Sequence, residues 1–173
     1  MKKEPNLKNI KLLALDVDGV LTDGTIIIGP DGRDSKPFNS LDGHGIRMWK
    51  RAGLEAALVT GRSSEAVSFR AKELGVEHVF QDCHHKLPVV ESLLERLGLS
   101  PDNLAYMGDD LTDLPCMRYA GFAAAVANAV EEVKSYADYV TAAGGGKGAV
   151  REVIEHILKN TGKWQELIER YLK

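Results

Sequence analysis

Residues 12–24 read LLALDVDGVLTDG, a short apolar run that ends abruptly in two carboxylates, Asp16 and Asp18, with glycines following at 19 and 24. An apolar stretch of strand length, with no polar alternation, is the pattern of a strand buried on both faces. In open α/β sheets ligands bind at the carboxyl ends of the strands. The exit of this strand is therefore the first place to look for chemistry.

Outward from it, short apolar runs alternate with longer amphipathic ones, as expected of strands and crossover helices. Strands are expected at residues 11–16, 55–60, 78–81, 104–107, 122–126 and 139–141, and helices at 43–52, 63–74, 86–97, 110–119, 130–136 and 148–159. The expected fold class is α/β, a Rossmann-like open parallel sheet with helices on both faces. One stretch breaks the alternation: residues 24–39, GTIIIGPDGRDSKPFN, hold an apolar run, a Gly29-Pro30-Asp31-Gly32 turn and a polar return, and read as a β-hairpin flap after the first strand. The segment KWQELIERYLK at 163–173 has a helical apolar face of Trp164, Leu167, Ile168, Tyr171 and Leu172 that needs a cover, a partner subunit being one candidate.

The chain of 173 residues suits one domain, 1–173. With 44% hydrophobic residues, 27% charged residues and a formal charge of -3, it is globular without basic bias, so nucleic acid is not an expected partner. Cys83 and Cys116 form no C-x-x-C pair and have no zinc-like His spacing, which fits free thiols in a reducing compartment. No apolar run approaches the ~18 residues of a membrane span, and the amino-terminal stretch lacks the ~7–15-residue apolar region and small-residue cleavage site of a signal peptide. A cytoplasmic protein without a membrane partner is expected. The run Gly144 to Gly148 lacks the spacing of a P-loop and reads as a flexible turn before a helix.

Besides Asp16 and Asp18, polar residues follow other strands: Thr60-Gly61-Arg62, then Lys86 at a helix start, then Asp109-Asp110 with Asp113 beyond. Two carboxylates so close repel unless a cation lies between them. Mg²⁺ is suited to this, since it takes oxygen ligands and keeps several waters, so that one or two carboxylates and a substrate phosphate suffice. Asp109 offers a further ligand. Any one of these residues alone is as readily a turn or cap residue; their combination at successive strand ends is what points to a site. Asp113, one helical turn after Asp109, is expected either to orient Lys86 or a metal-bound water, or to favour the helix start.

DVDGVLTDG, VTGR, Lys86 and GDDLTD together resemble the four motifs of the haloacid dehalogenase-like phosphatases. The resemblance implies that Asp16 attacks phosphorus to form an aspartyl-phosphate and that Asp18 protonates the leaving oxygen and then activates water. It also implies that Thr60 and Lys86 bind the transferring phosphoryl group. Mg²⁺ would be held by the Asp16 carboxylate, the Asp18 backbone carbonyl and Asp109, with Asp110 and Asp113 in support.

The gaps between motifs leave no room for a cap domain, so the hairpin and neighbouring subunits are expected to shield the site. The longer pattern, from Leu12 to about Ile157, is similar to a capless branch acting on 3-deoxy-D-manno-octulosonate 8-phosphate in lipopolysaccharide synthesis. The branch implies substrate contacts from Asp18, Asn39, Asp42, Gly43, Arg47, Gly61, Arg62, Arg70 and Lys86, and a homotetramer. Arginines suit the carboxylate of a sugar acid phosphate. Two alternatives stay open: a phosphatase for a nonulosonate 9-phosphate of the sialic acid type, against which Arg62 speaks, and a phospho-accepting signalling domain, against which Asp18 speaks.

Overall fold

The computed structural model describes residues 5–173. In chain order these form β1 (Leu12–Leu15), a hairpin of β2 (Ile27–Ile28) and β3 (Asp34–Ser35), α1 (Ser40–Arg51), β4 (Glu55–Val59), α2 (Glu65–Leu74), β5 (His78–Phe80), α3 (Lys86–Leu97), β6 (Leu104–Gly108), α4 (Leu114–Tyr119), β7 (Phe122–Ala125), α5 (Glu131–Tyr136), β8 (Tyr139–Val140), α6 (Ala149–Asn160) and α7 (Trp164–Glu169). Six strands make one parallel sheet in the order β5-β4-β1-β6-β7-β8. The expected fold class holds.

β1, β6 and β7 are buried at every position, which requires cover on both faces. The helices provide it in two packed groups, α1 with α2 and α6, and α3 with α4 and α5. From β1 the chain builds outward through β4 and β5, then returns to β6 on the other side of β1. Between β1 and β6 the strand order reverses, and a crevice opens there at the carboxyl ends. Leu15 is level with both Leu58 and Met107, so Asp16, Thr60 and Asp109 leave the sheet at nearly the same height.

The hairpin is narrower than expected, with only two residues per strand, and forms a sheet of its own. It and α1 fill the gap from β1 to β4, and α2 fills that from β4 to β5, so there is no cap domain among the described residues. Helix α1 begins at Ser40 rather than 43 because the Asn39 side chain accepts hydrogen bonds from the Leu41 and Asp42 amides. The helix expected at 110–119 splits instead. Asp110 caps a 3₁₀ turn, Leu111–Asp113, and α4 starts only at Leu114, with Pro115 in its first turn.

At the carboxyl end the expected bare face is partly covered by the chain itself. Trp164 and Leu167 pack on the core, Arg151 and Lys159 lie over the Trp164 ring, and Arg51 donates to the Tyr171 hydroxyl at 2.6 Å. Leu172 remains exposed.

The glycine run is not the loose turn its composition suggests. The Gly146 amide donates to the Val20 carbonyl at 2.9 Å and the Gly145 amide to Asn128 Oδ1 at 2.8 Å. A Cβ on Gly145 would lie 1.7 Å from the Gly19 carbonyl oxygen. The run is thus pressed onto the loop that follows β1 and carries the acidic pair. Gly145→Ala is expected to lower stability by about 3 kcal/mol, read as an earlier urea midpoint with unchanged slope; an unshifted midpoint would show that this contact is dispensable.

Candidate active site

Asp16, Asp18, Thr60, Gly61, Arg62, Lys86, Asp109 and Asp110 line one cavity of about 220 Å³ at the β1/β6 crevice, together with Cys83, His84 and Thr112. Each comes from the end of an element. Asp16 follows β1, where its amide donates to the Met107 carbonyl at 3.1 Å. Thr60 and Gly61 follow β4, Lys86 opens α3, and Asp109 follows β6. Helix α3 directs its positive end at the same cavity, which favours an anion there.

The Lys86 ammonium is the hub. It donates to Asp16 Oδ1 and to Asp113 Oδ1, both at 2.7 Å. Burial alone would disfavour the ammonium, but the charges and hydrogen bonds of Asp16 and Asp113 prevail and push its pKa up. Asp113 is wholly buried. Its Oδ1 also accepts from the Tyr106 hydroxyl at 2.8 Å, and its Oδ2 accepts the amides of Asp109 at 3.0 Å and Asp110 at 3.4 Å. Both oxygens of Asp113 are therefore engaged in holding Lys86 and the turn after β6. Asp113 thus both orients Lys86 and, in a capping box with Asp110, favours the start of the 3₁₀ turn.

Negative charge exceeds positive charge here. Burial, then the charge of Asp113, raises the Asp16 carboxyl to about 6 against the pull of Lys86. Asp109 is raised to about 8 by burial and then by the charges of Asp16 and Asp113. Asp16, Asp109 and Asp113 each offer an oxygen within 4.8 Å of the other two, the one such acidic group of three among the described residues. Since Asp113 is engaged, Asp16 and Asp109 are the pair left to hold a divalent ion. Hard oxygen donors crowded in this way fit Mg²⁺. The Asp109 carboxylate also rests against Gly19, where a Cβ would sit 2.0 Å from its Oδ2. Glycine at 19 is thus what admits Asp109 to the cluster.

Asp18 stands apart from this hub. Its Oδ1 accepts a hydrogen bond from Lys36 Nζ. Its Oδ2 is buried without a hydrogen-bond partner among the described residues, 3.9 Å from Arg62 Nε. A buried carboxylate oxygen without a hydrogen bond, on a residue that lines the cavity, is suited to proton exchange with a bound molecule.

Five residues expected to contact substrate, Asn39, Asp42, Gly43, Arg47 and Arg70, are not brought to this cavity. Asn39 caps α1, and its Nδ2 donates to the Gly146 carbonyl at 3.2 Å. Asp42 is buried and accepts the Gly148 and Arg151 amides at 3.2 and 2.9 Å, capping α6 from across the fold. Gly43 lies beneath the Arg70 guanidinium, and Arg47 is held by the Glu73 carbonyl and carboxylate. Their polar groups are engaged in holding α1, α2 and α6 together. Arg62 lines both the cavity and an adjoining groove of about 850 Å³ between the hairpin and α2; Arg70 lines the groove alone.

The sequence reading missed Lys36, Tyr106 and the His84 and Thr112 rim. Tyr106 left a signal, since a Tyr within an apolar strand needs a partner for its hydroxyl. Lys36 left none, because nothing in a hairpin's pattern tells which way its return folds.

A family model described as haloacid dehalogenase-like hydrolase matches residues 77–154. Over 159 residues the chain is 46% identical to 3-deoxy-D-manno-octulosonate 8-phosphate phosphatase of Escherichia coli strain K12, covering 92% of this chain and 85% of that one. Among solved structures, the phosphatase of the same name from Moraxella catarrhalis, in complex with a magnesium ion, a phosphate ion and a KDO molecule, is 44% identical, with a TM-score of 0.93 and 95% of each chain covered. The cobalt-bound form of the Haemophilus influenzae enzyme is 39% identical, covering 91% of this chain and 92% of that one, with a TM-score of 0.88.

The raised carboxyls make a prediction for the metal-free protein. An unfolded Asp loses its proton near ~3.9, whereas the folded state keeps these protons longer, so the folded state binds more protons between the two values. Stability in chelator is expected to fall as pH rises from ~4 through about 6 and about 8, and the gain in Tm on adding Mg²⁺ to grow over the same range. A Tm in chelator that rises across this window would contradict the charge crowding.

Proposed function

Because the chain belongs to the 3-deoxy-D-manno-octulosonate 8-phosphate phosphatases of the haloacid dehalogenase-like hydrolases, we propose that its cavity hydrolyses that sugar acid phosphate to the free sugar acid and phosphate, a step of lipopolysaccharide biosynthesis. The observation that carries this reading is the meeting of Asp16, Asp18, Thr60, Lys86 and Asp109 in one cavity of about 220 Å³.

In the first step an Asp16 oxygen bonds to phosphorus as the bond from phosphorus to the sugar oxygen breaks, and Asp18 gives that oxygen a proton. In the second, Asp18 takes a proton from water as the water oxygen bonds to phosphorus and the Asp16 carboxylate leaves. Lys86 holds Asp16 in place and, with Thr60 and the Gly61 backbone, stabilises the equatorial oxygens. Mg²⁺ held by the Asp16 and Asp109 carboxylates and the Asp18 backbone carbonyl would offset the charge of the nucleophile and phosphate as they close.

The rest of the substrate extends toward the adjoining groove, where Arg62 suits its carboxylate and Arg70, now paired with Glu73 at 2.7 Å, would have to exchange that partner to join it. Residues 1–173 act as one catalytic domain. The assembly is a homotetramer: Ile26, Ile27 and Ile28 of the hairpin and Phe69 of α2 are exposed, and such a surface is suited to burial by other subunits that complete the shield of the site. The unpaired thiols Cys83 and Cys116 support a place in the cytoplasm.

Asp16→Asn is expected to abolish phosphate release. Asp18→Asn should slow it by ~10²–10⁴-fold while Mg²⁺ still binds by calorimetry. Either variant turning over near the parent rate would sink the mechanism. In a phosphate-release screen over sugar acid phosphates, the octulosonate 8-phosphate should rank among the best by kcat/KM; preference for a nonulosonate 9-phosphate would move the substrate to nine carbons.

A further inference from the structure

The hairpin carries one buried charge. Arg33 on the same hairpin has 73% of its side chain exposed, whereas Lys36 has 3%. A buried ammonium persists only where it is paired. Lys36 donates to Asp18 Oδ1 and lies 3.4 Å from Asp34 Oδ2. Asp34 is anchored in turn: its Oδ1 accepts from the Ser64 hydroxyl at 2.8 Å, at the start of α2. The Ser64 amide donates to Gln81 Oε1 at 2.7 Å, and Gln81 Nε2 donates to the Ser68 hydroxyl at 2.8 Å. A continuous chain of polar contacts thus runs from the end of β5, through α2 and the hairpin, to one oxygen of Asp18.

We propose that Lys36 is a positioning residue: by holding Asp18 Oδ1 it assigns proton transfer to Oδ2, the oxygen with no hydrogen bond, which lies 3.9 Å from Arg62 Nε. This rests on the phosphatase reading above. In the first step the proton moves from Oδ2 to the sugar oxygen as that oxygen leaves phosphorus. In the second, Oδ2 takes a proton from the attacking water as the Asp16 bond to phosphorus breaks. Lys36 takes no part in either proton transfer and touches no reacting atom. Without it the Asp18 carboxyl is free to rotate, and the fraction of time that either oxygen faces the leaving group falls.

The test separates proton donation from anchoring of the hairpin. The full chain with saturating Mg²⁺ is studied by rapid quench with two substrates. One is the octulosonate 8-phosphate, whose alkoxide leaving group needs a proton; the other is p-nitrophenyl phosphate, whose leaving group does not. Lys36→Met is expected to slow the first phosphorylation by ~10²-fold while the p-nitrophenolate burst stays within about threefold. Adding Lys36→Met to Asp18→Asn should cost less than about twofold more, because Lys36 acts through Asp18. Lys36→Arg should recover part of the loss, and Asp34→Asn and Ser64→Ala should show the same leaving-group split to a smaller degree. These two also serve as the test if Lys36→Met does not fold.

Equal losses with both substrates, or an undiminished further loss in the Asp18→Asn background, would overturn the assignment and leave Lys36 an anchor of the hairpin. The phosphatase reading fails differently, as a parent protein that shows no phosphoryl transfer from either substrate.

Discussion

One buried ammonium, Lys86, is set against the carboxylates of Asp16, Asp109 and Asp113 at the mouth of the β1/β6 crevice, and much of the local structure follows from that imbalance. Lys86 pairs directly with two of the three. Asp113 is further satisfied by the Tyr106 hydroxyl and two amides, which removes it from competition for a ligand. What remains is Asp16 and Asp109, close together and poorly solvated, each raised above the ordinary carboxylate range. Such a pair is at ease only with protons or a cation, and a cation beside Lys86 and a helix amino terminus makes the place attractive to a phosphate.

The proton exchange proposed for Asp18 asks for an environment different from that of a metal ligand. The fold provides this by separation. Asp16 is gripped from the α3 side by Lys86, and Asp18 from the hairpin side by Lys36. Adjacent turns of one loop thereby present two carboxylates in unlike surroundings. The loop itself is held from behind by the glycine run, whose lack of side chains lets it approach Gly19 and Thr22. The small cavity and the larger groove share Arg62, so one guanidinium borders both.

The strand exits were legible in the sequence. Asp16, Thr60 and Asp109 each end an apolar run, and in a parallel sheet successive strand ends lie at one edge, so the types of residue there already describe a phosphate and metal site. Asn39, Asp42 and Arg47 show where that logic stops. Their side chains are as polar as those of the site, and sequence position alone does not say whether a polar group faces a ligand or caps another helix. Asp42 answers to Gly148 and Arg151, more than a hundred residues away.

By itself, then, the sequence determined the parallel sheet, gaps between motifs too short for a cap and the acidic and basic groups at the strand ends, because all of these depend on local periodicity and on the spacing between neighbouring elements. The tertiary structure alone decided which cation serves which carboxylate. Lys86 reaches Asp16 across 70 positions and Lys36 reaches Asp18 across 18. Both pairings depend on how α3 and the hairpin close over the sheet, and no local pattern encodes the direction of that closure. The two neighbouring aspartates of LLALDVDGVLTDG acquire different surroundings only when the chain has folded around them.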